Sequence, residues 1–350
     1  MKINLKELKE ICETPGAPGF EEPIRSLIIE KVGPHVDEYV TDNMGNLITH
    51  IKSANNPDNI KVMIAAHMDE IGFIVTHIDK EGFLKFHTLG GFDPKTLTAQ
   101  RVVVHGKKDL IGVMGTKPIH IMSPEEQKKL PRVTDYFIDL GLGRKEVEKY
   151  VQVGDPITRE RDFIEMGDCV NSKSIDNRIS VYILLEVLRN IDNPPYDVYG
   201  VFTVQEELGM RGANVATHKI DPDLAIALDT TIAFDVPGAQ GHEKVTTLGG
   251  GAAIKIMDAS VICDSRMVEY LKSTAKSNKI KWQPEILTAG GTDTAAMQKT
   301  GKSGAISGAV SIPTRHIHQV IESAHKEDIS SCIDLMIKSV SGIDQWKWNL

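Results

Sequence analysis

The sequence predicts an α/β fold: a mixed, mostly parallel sheet covered by helices, with a small all-β domain inserted into it. Three observations lead there. Short apolar runs alternate with helical stretches near both ends of the chain, the rhythm of strand–helix–strand units. From Ile71 to about Glu165 that rhythm gives way to short alternating runs separated by turns. The length, 350 residues, exceeds what one domain of average size holds. Residues 1–70 and 166–350 are therefore assigned to the α/β domain, and residues 71–165 to an inserted β-barrel.

Leu5, Leu8 and Ile11 mark an amphipathic helix; Pro15-Gly16-Ala17-Pro18-Gly19 breaks it, and Ile24, Leu27 and Ile28 resume it. Val40 to Ile51 reads as a hairpin turning at Asn43-Met44-Gly45-Asn46. Lys61-Val62-Met63-Ile64-Ala65-Ala66 is an apolar run suited to a strand buried on both faces. In the insertion, Phe83-Leu84-Lys85-Phe86 and Arg101-Val102-Val103-Val104 are bounded by turns at Asp79-Lys80-Glu81-Gly82 and Gly106-Lys107-Lys108-Asp109. That is the pattern of a small antiparallel barrel or sandwich. Ser123-Pro124-Glu125-Glu126 is a helix start. Beyond the insertion, Ile179 to Ile191 is helical, and Tyr199 to Val204, Leu224 to Leu228 and Ala252 to Ile256 are strands. Met267 to Ser277 is a helix, Ser303 to Val310 a strand, and Glu327 to Ile343 a closing helix.

Apolar residues make up 41% and charged residues 25%, ordinary for a globular protein. The formal net charge of -8, from 48 acids and 40 bases, provides no basic field for nucleic acid, which is therefore not an expected partner. No stretch approaches the roughly 20 apolar residues that span a bilayer, so no membrane association is expected. The start, Met1-Lys2-Ile3-Asn4-Leu5-Lys6-Glu7-Leu8, lacks the apolar core of a signal peptide. Cys12, Cys169, Cys263 and Cys332 lie far apart, which argues against a disulfide framework and for a reducing, cytoplasmic setting.

Several residues carry candidate chemistry. His67-Met68-Asp69 closes the Lys61–Ala66 run; in extended chain His67 and Asp69 share a side, so one can bind a metal while the other supports it. Taken alone, a histidine of this kind is more often structural. Gln205-Glu206-Glu207-Leu208-Gly209 follows a strand, and adjacent carboxylates diverge there; the plainer reading is a solvated turn. Asp176 precedes a helix and reads either as an N-cap or as a bridging carboxylate. Asp229 ends a strand and His318 follows Ile312-Pro313-Thr314-Arg315; a turn and a surface loop are the plain readings. Together the set says more. His67, Glu206, Glu207, Asp229 and His318 fall just past strand ends, where ligands bind in open α/β sheets. Two histidines and several carboxylates suffice for two metals about 3.5–4 Å apart. Nitrogen and oxygen donors without thiolate suit zinc, cobalt or manganese.

Other signals fail. Gly301-Lys302-Ser303 resembles the end of a phosphate loop, but Ala296 stands where a glycine is required. Gly249-Gly250-Gly251 precedes a strand rather than a helix. Cys169 has no neighbour that would make it a nucleophile, and a structural thiol is expected.

These residues, in this order, resemble the tetrahedral (TET) and glutamyl aminopeptidases of metallopeptidase family forty-two. The resemblance spans nearly the whole chain. It rests on Thr14-Pro15-Gly16 with Gly19-Phe20-Glu21, Asp42-Asn43-Met44-Gly45-Asn46-Leu47, Ala66-His67-Met68-Asp69-Glu70-Ile71-Gly72-Phe73, Gln205-Glu206-Glu207-Leu208-Gly209 with Arg211-Gly212-Ala213, Gly290-Gly291-Thr292-Asp293, and Ile312-Pro313-Thr314-Arg315 with His318. It implies a zinc-aminopeptidase-like fold, with His67 and Asp229 on one metal, Glu207 and His318 on the other, and Asp176 bridging. Glu206 would be the general base and Asp69 a support for the metals. The inserted domain would mediate dimerisation, with dimers assembling into a hollow dodecamer. Three positions depart from the pattern. His316 stands where Tyr is usual, two residues from His318; Asn177 stands where Asp is common; Thr230 stands where Val is usual.

The expected reaction is removal of the amino-terminal residue of short peptides, through a water bridging two metal ions, zinc or cobalt first and manganese also compatible. A related deacylase or carboxypeptidase, a glycosidase using Glu206 and Glu207, and a non-catalytic oligomeric scaffold are the alternatives. The glycosidase is disfavoured because neighbours in sequence are poorly placed to flank a sugar.

Overall fold

In the computed structural model, which describes residues 2–348, helices α1 (Leu5–Glu13) and α2 (Glu22–Val32) lead into β1 (Glu38–Thr41), β2 (Leu47–Ile51) and β3 (Lys61–His67). Next come β4 (Gly72–Ile78), β5 (Leu84–Leu89), β6 (Arg101–His105), β7 (Asp109–Gly115), α3 (Pro124–Gln127), β8 (Phe137–Asp139), α4 (Arg144–Tyr150) and β9 (Pro156–Arg159). The chain continues through β10 (Ile164–Met166), β11 (Cys169–Ser172), α5 (Ile175–Arg189), β12 (Asp197–Thr203), α6 (Arg211–Ile220), β13 (Leu224–Ile232), β14 (Ala252–Met257) and α7 (Ser265–Ser277). It closes with β15 (Trp282–Ile286), α8 (Asp293–Lys299), β16 (Ile306–Arg315), β17 (Glu322–His325) and α9 (Lys326–Ser341).

The large sheet runs β1-β2-β12-β3-β13-β16-β17-β11-β10, with β14 and β15 joined through β16. Its centre, β12-β3-β13-β16, is parallel, as is the β14–β15 pair, and the remaining pairs are antiparallel. Helices cover both faces, so the central strands are apolar on both sides. β3 sends Val62, Ile64 and Ala66 into the core that α1, α5 and α9 share, and Met63 and Ala65 into a smaller core against α6 and α8. Separately, β4, β5, β8, β7, β6 and β9 close into a barrel around Phe73, Val102, Ile138 and Ile157. The helix start at Ser123 yields a single turn, α3. Ser123 Oγ accepts the Glu126 N–H at 3.2 Å, and the Ser123 N–H donates to the Glu126 carboxylate at 2.7 Å. Among the described residues, no helix is long and apolar enough to cross a membrane.

Two strands end elsewhere than expected. β13 runs to Ile232, so Asp229 lies within the strand rather than past its end. The cause is the ladder to β16, which continues to Ile232 opposite Thr314, whereas β3 pairs with β13 only as far as Ala65 opposite Ala227. β16 begins at Ile306 and runs on to Arg315, through Pro313. On that edge the ladder to β14 stops at Ser311 and the ladder to β17 starts at Thr314. The proline thus falls where the strand changes neighbour, a place that tolerates a missing N–H.

Candidate metal centre

β3 delivers His67 as its last residue, beside Thr203, the last residue of β12. Past β12 the chain turns at once. Gln205 and Met210 take left-handed backbone, φ 53° and 56°, on either side of a single 3-10 turn, Glu206–Leu208. Asp69 caps that turn: its Oδ1 accepts the Glu206 N–H at 3.1 Å and its Oδ2 the Glu207 N–H at 3.2 Å. The adjacent glutamates therefore diverge. Glu206 Oε2 lies 4.0 Å from His67 Nε2, and Glu207 Oε2 lies 3.5 Å from His318 Nε2. The other ring nitrogen of His67 faces the Asp69 carbonyl oxygen at 3.2 Å and the Asp69 carboxylate at 3.5 Å.

Asp176 sits at the start of α5 but does not cap it. Asp176 (φ -77°, ψ 107°) and Asn177 are non-helical, the peptide between them is cis, and Ser174 is the residue that precedes the helix. Asn177 Nδ2 donates to the Leu228 carbonyl at 3.0 Å, tying this turn to β13 beside Asp229. Asp176 Oδ1 lies 3.4 Å from His67 Nε2, and Oδ2 lies 3.4 Å from His318 Nε2. Asp229 Oδ1 is 3.5 Å from His67 Nε2. Among the described residues, the donor atoms of His67, Asp176 and Asp229 all lie within 4.8 Å of one another, and so do those of Asp176, Glu207 and His318. Asp176 belongs to both groups.

β16 ends at Arg315, and His316 (φ 64°) and His318 (φ 63°) are left-handed rather than extended. The rule that alternate residues share a side does not apply there. His318 joins the donor group, and His316 lines the adjoining cleft. Gln205, Met210, His316 and His318 thus place four unusual backbone conformations around one site, a concentration typical of functional loops.

The electrostatics follow from crowding carboxylates in a dry place. Burial pushes Glu206 well above the usual carboxylate range and Glu207 up to about 7, with neighbouring acids adding to it. Asp229 is raised for the same reason. Burial would raise Asp176 too, but the facing imidazoles of His318 and His67 hold it below the usual range. Burial opposes charge on His318, yet Glu207 and Asp176 raise it to about 10. His67 behaves likewise, with Asp176, Asp229 and Asp69 overcoming burial. Without a cation, this cluster retains protons that a divalent ion would displace. Asp176 Oδ1 is buried with no hydrogen bond. That orphaned oxygen, facing His67 from a carboxylate whose other oxygen faces His318, fits a cation site, and oxygen and nitrogen donors fit zinc, cobalt or manganese.

Two acids of the site escaped the sequence reading. Glu322, on β17, accepts the Asp176 N–H at 2.9 Å and the His318 N–H at 2.9 Å, so it positions both. Burial pushes it up to about 8. No sequence signal marks it. Asp293, first residue of α8, accepts the Thr203 hydroxyl at 2.5 Å, and burial raises it to about 7. Its stretch, Gly290-Gly291-Thr292-Asp293, belongs to the family resemblance, which assigns Asp293 no role.

His67, Asp176, Glu206, Glu207, Asp229 and His318 line a cleft of about 800 Å³ at the carboxyl ends of the parallel strands. A sequence model of the family described as M42 glutamyl aminopeptidase matches residues 45–335. The chain belongs to that family. This M42 peptidase is 34% identical over 342 residues to the lysyl aminopeptidase of Pyrococcus furiosus, across 95% of each chain. Its fold matches the TET aminopeptidase of the marine sediment archaeon Thaumarchaeota archaeon SCGC AB-539-E09 with a TM-score of 0.92 and 37% identity, over 96% of this chain and 95% of that one. The Pyrococcus horikoshii TET1 peptidase, which can assemble into a tetrahedron or a large octahedral shell, matches with a TM-score of 0.85 and 31% identity, over 96% and 98%. The M42 chain is accordingly a peptide hydrolase, and its family implies divalent metal ions.

Proposed function

We propose that this chain removes the amino-terminal residue of short peptides, with two divalent ions held by His67, Asp176, Glu207, Asp229 and His318. The observation that carries this reading is the division of Asp176. One oxygen faces His67 and the Asp229 group, the other His318 and the Glu207 group. His67 and Asp229 would hold one ion, Glu207 and His318 the other, and Asp176 would be shared. Zinc or cobalt is the first choice, and manganese is compatible. Such a pair, when bound, supplies an acidic water and polarises a carbonyl.

The chain's own residues do the rest. Glu206 lies outside both donor groups. Burial makes it proton-hungry, so it takes the proton of the attacking water and passes it to the leaving amine. Asp69 holds the backbone of Glu206 and Glu207 and thereby orients base and ligand together. The surrounding carboxylates favour a free ammonium on the substrate, which restricts hydrolysis to chain ends. The barrel exposes Ile111, Val113, Ile119, Ile121 and Leu130. That apolar surface supports the reading that it mediates dimers, which assemble further as the TET1 relative does. Free thiols at Cys12, Cys169, Cys263 and Cys332 fit a reducing, cytoplasmic setting.

Glu206→Gln is the test. Metal content measured by elemental analysis should stay at two per chain, while kcat on an aminoacyl chromogenic substrate falls by about 100-fold or more. Full activity would remove Glu206 from the base role. Hydrolysis of acyl-blocked peptides in preference to free-amine peptides would favour the deacylase alternative.

A further inference from the structure

Away from the metal donors, the cleft is walled by Met210, Ile232, Phe234 and Leu287. Ile232 and Phe234 keep 38% and 42% of their surface exposed, so sizeable apolar area stands open there. Lys255 is the lining cation apart from the histidines, among the described residues. Its charge is already committed. Its ammonium lies 3.0 Å from Asp258 and 2.9 Å from Glu285, and all three side chains are buried. Glu285 is held in turn by the Thr231 hydroxyl at 2.8 Å, and Asp258 by the backbone N–H groups of Ser260 at 2.8 Å and Val261 at 3.1 Å. Neither carboxylate is part of the lining.

The consequences for a substrate side chain follow. Among the described lining residues, an acidic one meets no lysine or arginine whose charge is uncommitted. A basic one meets no carboxylate other than those at the metal centre. Either would shed water against these apolar walls without gaining an opposite charge from them, which is unfavourable. An apolar side chain gains by leaving water for the same walls.

We propose that this cleft selects large apolar amino-terminal residues, such as leucine, methionine and phenylalanine, over acidic and basic ones. The proposal rests on the aminopeptidase reading above. The test is kcat/KM for the p-nitroanilides of Leu, Met, Phe, Glu and Lys, with the protein loaded with zinc and separately with cobalt. At least one apolar substrate should exceed both charged ones by about 10-fold or more, the usual reach of a hydrophobic pocket. Best turnover of the Glu or Lys substrate overturns the selectivity and leaves the aminopeptidase reading standing. No turnover of any substrate overturns both. Ile232→Glu, at the partly exposed end of β13, supplies a second readout. It should raise the ratio of Lys to Leu turnover by about tenfold, since a carboxylate now faces the basic side chain. An unchanged ratio, with an unchanged melting temperature, shows that substrate does not meet this wall and overturns the proposal.

Discussion

Replacing Asp69 by asparagine should loosen the metal centre without removing a metal ligand. Asp69 is fully buried, and each carboxylate oxygen accepts one backbone N–H, from Glu206 at 3.1 Å and from Glu207 at 3.2 Å. Asparagine retains one acceptor oxygen and turns an amide donor toward the other N–H. One charge-assisted bond, worth about 1.5–3 kcal/mol, is lost, and a buried N–H is left without an acceptor. The surviving bond drops to roughly half its strength as its acceptor loses charge. A net effect near 2 kcal/mol corresponds to about 30-fold in an equilibrium constant. Because the bonds end on the turn that carries Glu206 and Glu207, that energy falls on the proposed base and on one proposed metal ligand. Metal affinity should drop by roughly 10–100-fold, the usual cost of losing an outer support. At saturating metal, kcat should fall while KM changes little, since the substrate's side-chain walls are untouched. Competition with a chromophoric chelator gives the affinities, and steady-state kinetics give the split. Asp69→Asn with the parent's metal affinity and kcat would refute the argument.

Other expectations concern the surroundings and the ions. Glu70 is fully buried, 2.5 Å from Lys173 Nζ and 3.6 Å from Arg178 Nη2; Glu70→Gln strands two buried cations and should cost about 3–5 kcal/mol in urea unfolding. Burial alone would raise the Glu70 carboxyl, but the charges of Lys173 and Arg178 hold it below the usual range. A folded-state pKa below the unfolded one stabilises at neutral pH and is lost as pH falls through it. The stability gap between the parent and Glu70→Gln should therefore narrow in acid, as followed by circular dichroism. Chelation should abolish peptide hydrolysis, and zinc, cobalt or manganese should restore it; activity that survives exhaustive chelation would sink the two-metal reading and reopen the glycosidase alternative. Glu207 at about 7 and His318 at about 10 carry protons that metal must displace. Binding should release protons and tighten as pH rises, which calorimetry in buffers of different ionisation enthalpy measures; pH-independent affinity would contradict it.

The central strands are legible because burial on both faces leaves them little choice of residue. Lys61–Ala66 reads as a strand and is β3; the alternating runs of the insertion read as a barrel and close into one. The Val40–Ile51 hairpin at one flank is legible too, as β1 and β2, but β10, β11, β15 and β17 are not. β17 is Glu322-Ser323-Ala324-His325, and nothing in that composition speaks for a strand. It is one because β16 and β11 offer it ladders on both edges. The same holds for β10, β11 and β15, whose strand character is imposed by neighbours rather than by propensity. Gly212 shows the reverse case, a motif residue whose reason is invisible until the fold is known. A Cβ there would lie 2.3 Å from Asn46 Oδ1 and 2.4 Å from the Val204 carbonyl oxygen, so the Asn43–Leu47 turn and the start of α6 can meet only across a glycine.

The site divides in the same way. Its donor types and their places near strand ends can be read from the chain, but their directions cannot. An aspartate just ahead of a helix reads first as a cap, and local sequence offers no way to prefer a bridging role for Asp176. The decision is made 146 residues later, where Glu322 takes the Asp176 N–H. With that backbone group satisfied by another acid, and α5 kinked at Asp176 and Asn177, the Asp176 carboxylate is free to stand between His67 and His318. The other oxygen of Glu322 takes the N–H of His318, so one buried acid sets the separation of Asp176 and His318, the proposed shared and terminal ligands. Asp69 does the equivalent for Glu206 and Glu207. Glu322 bonds to the backbone N–H groups of Asp176 and His318 rather than to their side chains, and backbone groups carry no residue identity. A support of that kind leaves no trace in the residues it holds, which is why a reading of motifs picks out the candidate donors, and Asp69 two residues from His67, yet passes over Glu322.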